Sequence, residues 1–233
     1  MHDVLRCVNG GTMADSGGSN VERAASVLFA VARGEEGRTV RELAESLGLS
    51  KSAAQRILAA LERTGLLAVD DASGRYVRGP RLIELAARIA QPLVAVEAVA
   101  RPVLLELLRQ TDETVALHTA VGDERMILLQ FESSQPLRYA GSPEQLYPID
   151  RGAASRALVA ALEPGAARSV ILSRGERVDG IVGIAVPVRA EGTALSVGLS
   201  IPATRADRGR LDGFVPLLEH ARDELEARLA SRA

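Results

Sequence analysis

From Val21 the apolar positions return with a helical period: Val21, Ala24, Ala25, Leu28 and Val31 share one face, and Gly34 stops the run. A second helix is predicted to start at Thr39-Val40-Arg41-Glu42, a capping box in which Thr39 and Glu42 satisfy each other's orphan amides. It runs to Leu47 and ends at Gly48, where glycine can turn left-handed. Ser50 caps a third helix, Lys51 to Arg63, with Ala54, Ile57, Leu58 and Leu61 on one face and Gly65 past its end. The period then shortens. Leu66 to Val69 and Arg75 to Val77 read as two extended runs around Asp70-Asp71-Ala72-Ser73-Gly74, a hairpin with glycine where a positive φ is needed.

Helical spacing resumes over Arg81 to Ala90 and Leu93 to Arg109, where Pro92 and Pro102 are each expected to start a helix or kink one. Strands follow at Thr114 to Val121 and Arg125 to Phe131, about a Gly122-Asp123 turn. Gly152 to Leu162 reads as a helix, and Ile181 to Arg189 with Thr193 to Ile201 as a second hairpin around Glu191-Gly192. Leu211, Val215, Leu218, Leu225 and Leu229 mark one face of a closing helix. Residues 1–19, with their NGGT and DSGGSN stretches, are expected to be a flexible leader.

A chain of 233 residues suits two domains. Aromatic residues are only 3%, so the cores must be built from Leu, Val, Ile and Ala. The single cysteine, Cys7, offers neither an internal disulfide nor zinc-ligand spacing, and no metal or cofactor is expected. The N-terminus lacks a secretory apolar region, and Pro92 to Leu108 is broken by Glu97, Arg101 and Glu106. A cytoplasmic protein with no membrane partner is the expectation. Net charge is −2, yet Arg38 to Arg81 carries eight basic side chains against five acidic ones, a local +3 that fits a DNA partner.

Two short helices about Gly48-Leu49-Ser50 form a unit in which the first braces the second, leaving the second free to enter a major groove. Lys51 suits guanine or phosphate, Gln55 an adenine edge and Ser52 either; Ser50 stands at the helix start, and Arg56 lies one turn on, facing the backbone. Arg75 and Arg78 on the hairpin suit a wing gripping the sugar-phosphate rail. Dull alternatives stand beside each: Lys51 as a solvated helix end, Arg56 paired with Glu45 or Glu62, Thr39 as a cap rather than a phosphate ligand.

These residues resemble the IclR family of bacterial regulators. The resemblance rests on Thr39-Val40-Arg41-Glu42-Leu43-Ala44, Gly48-Leu49-Ser50-Lys51-Ser52, Arg56-Ile57-Leu58-Ala59-Ala60-Leu61, and Tyr76-Val77-Arg78-Gly79-Pro80-Arg81-Leu82. It continues in Ala100-Arg101-Pro102-Val103-Leu104, Gly152 to Leu158, and Arg174-Gly175-Glu176 leading into Gly183 to Val188. Ala53 departs from the family's frequent threonine. The resemblance implies an α+β chain: a leader over 1–19, a winged helix-turn-helix over 20–79, a linker helix over 80–99 and a GAF-like effector-binding and oligomerisation domain over 100–233. It implies a repressor that binds operator DNA, assembles as a homodimer or dimer of dimers, and senses a small organic or aromatic acid. Carried over by position, Ala153, Ala154, Ser173, Ile181, Gly183, Gly198 and Ser200 would line the effector pocket; small strand residues also serve plain packing. Only Glu163 to Ser173 separate Leu162 from Arg174, where relatives insert a further helix and loop, which implies an opened, enlarged or lost site.

Two rivals remain. An enzyme would need a constellation that is missing: His2 lies in the leader, His220 on the closing helix, and His118 in a strand without nucleophile or paired acid, which reads as a hydrogen-bonded structural residue. The other rival keeps DNA binding and uses the C-terminal domain only to oligomerise.

Overall fold

The computed structural model describes residues 19–34, 36–142, 145–163, 165–190 and 193–231, apart from the side chains of 88–92. The leader, except for Ser19, lies outside the described residues, as does the Glu191-Gly192 turn. The chain divides into two compact units, one closing at Pro92 and the other opening at Leu93.

The first unit carries α1 (Asn20–Ala32), α2 (Val40–Ser46), α3 (Lys51–Arg63), β1 (Leu67–Val69) and β2 (Tyr76–Arg78). Ser19, assigned to the leader by its sequence, is the cap of α1 and forms a capping box with Glu22. The Thr39 hydroxyl accepts from the Glu42 amide at 3.2 Å, and the Glu42 carboxylate accepts from the Thr39 amide at 2.9 Å. Gly48 turns at φ +62° between α2 and α3, and Gly74 at φ +67° before β2. Val27 and Val31 of α1, Leu43 of α2, Leu58 and Leu61 of α3 and Leu67 of β1 form one small core. Leu58 is wholly enclosed, so its face of α3 is fixed inward.

The helical pattern after Gly79 does not break at either proline. One helix, α4, runs from Arg81 to Thr111, crossing the boundary between the units and replacing the two expected segments. Pro102 removes one backbone donor from a helix interior. On this segment Val99, Ala100, Val103, Leu104 and Leu107 are all buried against the C-terminal sheet, and that burial outweighs one lost hydrogen bond.

The second unit is built on β3 (Thr114–Val121), β4 (Glu124–Phe131), β5 (Leu146–Pro148), β6 (Ile171–Arg174), β7 (Ile181–Ala190) and β8 (Thr193–Pro202). They form one antiparallel sheet in the order β5-β4-β3-β8-β7-β6. The strands alternate. Val115 and Leu117, Val182 to Val188 at every second position, and Leu195 to Ile201 likewise point to the face covered by α4 and α6 (Arg208–Ala230). The opposite face carries Ala116, His118, Gly183, Ala185, Ser196 and Gly198, paired across the strands as Ala116 with Gly198, His118 with Ser196 and Ala185 with Gly198. Helix α5 (Ala153–Leu162) lies over it, with Ala153 and Ala157 against Ala185. β5 and β6 were not anticipated; three and four residues are too short to show a period.

Helix α5 is tied at both ends. At its start Ser173 Oγ accepts from the Ala153 amide at 3.0 Å and Glu176 accepts from the Gly152 amide at 2.9 Å. At its end the Arg189 guanidinium donates to the carbonyls of Ala160, Glu163 and Ala166.

The buried carboxylate of Glu113 joins the start of β3 to the segment entering α6. It accepts two hydrogen bonds from Arg205, at 3.0 and 2.7 Å, and pairs with Arg210 at 3.1 Å. Glu113→Ala would leave two partly buried guanidiniums facing each other, and should lower unfolding stability by about 3 kcal/mol in chemical denaturation. Glu113→Gln, which keeps the acceptor oxygen, should cost less.

Candidate functional site

Two places gather the side chains singled out from the sequence, one in each unit. In the first, the Ser50 hydroxyl accepts from the Ala53 amide at 3.2 Å and caps α3. Lys51, Ser52, Gln55 and Arg56 are exposed on the face opposite Leu58, within the first two turns of the helix. Arg56 has no ion pair among the described residues; the alternative partner Glu45 is held by Arg41 at 2.8 Å. The face is open, polar and short of anions.

The wing is divided. Arg78 at the end of β2 is exposed. Arg75 is turned inward: its Nη2 donates to both carboxylate oxygens of Glu42, at 2.9 and 2.8 Å, and to the Gly37 carbonyl at 3.4 Å. Thr39, Glu42 and Arg75 thus form one network binding the wing to the start of α2. The backbone amide of Thr39 and the Arg75 guanidinium together hold the Glu42 carboxyl below the usual carboxylate range.

In the second unit a small cavity, about 70 Å³ open to water-sized groups, lies between the small-residue face of the sheet, α5 and the loops before β5 and after β6. Ala153, Ala154, Ser173, Ile181, Gly183, Gly198 and Ser200 all line it. Two of the glycines are needed for close packing: a Cβ on Gly183 would stand 2.8 Å from Ser173 Oγ, and one on Gly198 3.1 Å from Ala185 Cβ. Ser173 is also structural, through its bond to the Ala153 amide. Ser196, not singled out by its sequence, ties β8 to α5 by donating to the Ala154 carbonyl at 3.1 Å.

The polar side of this cavity was not foreseen. Arg125, at the start of β4, is only 6% exposed and lines the cavity. It sits opposite Tyr147 of β5 in the strand register, with its guanidinium carbon 4.8 Å from that ring's centre. Its Nε and Nη1 are buried with no hydrogen-bond partner, and no carboxylate pairs with it among the described residues. Burial, and next the charge of Arg177, bring its pKa down to about 10, so it stays cationic at neutral pH. Arg177 donates to Asp150 and to the carbonyls of Pro148 and Arg151, so its charge is met.

His118 neighbours Arg125 on the sheet and is 7% exposed. The ring is hydrogen-bonded to the Ser196 backbone, as expected of a structural histidine, while its Nδ1 has no partner. Burial, reinforced by the Arg125 charge, pushes its pKa down to about 3. The imidazole is neutral. In sequence, Arg125 reads as the solvated end of a strand beside a turn; only the pairing of β4 with β5 encloses it.

The comparisons with known proteins agree across both units. Residues 20–71 match the IclR helix-turn-helix domain, and 93–173 the C-terminal domain of the bacterial transcriptional regulator IclR. The chain is 35% identical over 150 residues to the HTH-type transcriptional regulator Rv1719 of Mycobacterium tuberculosis, a match covering 64% of this chain and 57% of that protein. It is 34% identical over 152 residues to the glycerol operon regulatory protein of Streptomyces coelicolor, covering 60% of each. These matches thus span a little over half of each relative's length. In fold, an IclR-type regulator from Silicibacter aligns with a TM-score of 0.75 at 20% identity, covering 91% of this chain and 96% of the other. An IclR homologue from Microbacterium hydrocarbonoxydans, solved with 4-hydroxybenzoate, aligns with a TM-score of 0.70 at 19% identity, covering 91% and 100%.

The neutral histidine has a measurable consequence. Unfolded, its imidazole takes up a proton near pH 6.5; folded, only near pH 3. Between these values the unfolded chain binds more protons, so the full contribution to stability is present above pH 6.5 and is lost as pH falls. Denaturation midpoints should therefore drop between pH 6.5 and 5, above the range where the lowered carboxyls Asp112 and Glu176 titrate, with a slope approaching about 1.4 kcal/mol per pH unit. His118→Gln should flatten that slope.

Proposed function

Because this chain belongs to the IclR family of bacterial transcription regulators, whose members are DNA-binding proteins rather than enzymes, we propose that it represses transcription by binding operator DNA and that a small organic or aromatic acid, taken up by its C-terminal unit, controls that binding. In this reading α3 is the helix that enters the major groove. Lys51, Ser52 and Gln55 reach base edges, and Arg56 and Arg78 hold phosphates. Ser50 and Thr39 act first as caps. Arg75 shapes the wing, since its guanidinium is already engaged by Glu42.

The working form in this reading is a homodimer or a dimer of dimers, which matches a reader helix to two half-sites. No helix among the described residues is long and apolar enough to cross a membrane. A cytoplasmic location follows from the proposed role.

The observation that carries the acid-sensing part is the buried cation of Arg125 on the lining of the cavity that also contains the seven residues named above. An unpaired charge in such a place is costly, and an anionic guest removes the cost. The rival, a C-terminal unit that only oligomerises, gives that charge no purpose.

DNA binding should be measured by fluorescence anisotropy on fragments selected by the protein from genomic DNA. The double variant Lys51→Ala, Arg56→Ala should weaken binding on the order of 100-fold and reduce the steepness of the salt dependence, with an unchanged circular dichroism spectrum. An unchanged midpoint would remove α3 from the interface.

A further inference from the structure

Basic side chains are abundant in this chain, yet one kind occurs once. Of its 28 lysines and arginines, 27 are arginines, and the single lysine is Lys51, the first residue of α3. Helix electrostatics do not favour a cation there. The start of a helix carries partial positive charge, and α1 and α2 meet it with Glu22 and Glu42, each part of a capping box. In α3 the Ser50 cap is present, but Ala53 stands where the glutamate of a box would be, and no acid occupies the first turn. The acid of α3, Glu62, lies about three turns further on. The carboxylates of α2 are engaged, Glu45 by Arg41 and Glu42 by Arg75. Lys51 itself is exposed.

We propose that Lys51 is an acylation site, and that transfer of an acyl group from an acyl phosphate to its Nζ releases α3 from DNA. This rests on the reading of α3 as the helix that enters the major groove, and gives that helix a covalent switch. A guanidinium contacts phosphate and guanine well, so DNA contact alone gives no reason for an amine at this one position. What the amine adds is reactivity, because arginine stays protonated and does not accept the acyl group. Side-chain amine chemistry is thereby confined to the face that meets DNA. In the step itself, Nζ releases a proton to water and attacks the acyl carbon. The C–N bond forms as the C–O bond to phosphate breaks, and phosphate leaves with the electron pair and the second proton. The product is a neutral amide, so the charge is gone and bulk is added at the start of the reader helix. The dipole opposes a cation there, so losing it does not weaken α3. The fold is kept while the grip on DNA is lost.

The test treats the full chain with acetyl phosphate until it is partly acetylated, then mixes it with a limiting amount of the fragments it selects from genomic DNA. Bound and free protein are separated, and the peptide containing Lys51 is quantified in each by mass spectrometry. Acetyl-Lys51 should be concentrated in the free fraction. Fully acetylated protein should bind about tenfold more weakly, with a shallower salt dependence and no fall in melting temperature. Lys51→Arg, compared with itself before and after treatment, should show no response, and Lys51→Gln should resemble the acetylated parent. Acetyl-Lys51 shared equally between bound and free protein overturns the proposal. So does a Lys51 that acetyl phosphate leaves unmodified, a loss of binding that comes with a lowered melting temperature, or a response that persists in Lys51→Arg. If the untreated protein selects no DNA, the DNA-binding reading itself falls, and this inference with it.

Discussion

Period-two alternation in β3, β7 and β8 is the constraint from which the C-terminal unit follows. One set of positions holds branched aliphatic side chains large enough to pack against α4 and α6. The other set is rich in alanine, glycine and serine, carries His118 among them, and faces α5 and the cavity. A shift of one residue in register would reverse both faces, burying the small residues in the core and lining the cavity with valine and leucine. The same register that stabilises the sheet therefore keeps the cavity open. It also places Arg125 against Tyr147, where the enclosed charge arises.

In the DNA-binding unit the corresponding constraint is the small core around Leu58. Because α3 turns Ala54, Leu58 and Leu61 inward, Lys51, Ser52, Gln55 and Arg56 face out. The network of Thr39, Glu42 and Arg75 then fixes where the wing begins relative to α2. One arginine of the wing is thereby a strut and the other, Arg78, is free to face solvent. Residue type alone could not separate them.

Much of the fold was legible in the sequence because it is written in local signals. The two serine and threonine caps, Gly48 and Gly74 at positive φ, and the alternating strands all act over a few residues, and each stands where its pattern places it. The prolines misled because their effect depends on what the rest of the helix buries. Pro102 sits within α4, whose contact with the sheet is set by β3, β7 and β8. The cavity residues came from the resemblance to known regulators, and the sheet and α5 together bring them to one cavity. Arg125 was invisible for a physical reason: a polar residue in a strand is ordinarily solvated, and here β5 pairs beside it and sets Tyr147 over its guanidinium.

The anchoring of α5 has a bearing on selectivity. Ser173 and Glu176 hold one end of this helix and Arg189 the other, so the ceiling above the sheet is fixed in height before any guest arrives. Under the proposed sensing role, the separation between that helix and the sheet, rather than any repulsive charge, would set the thickness of the guests admitted.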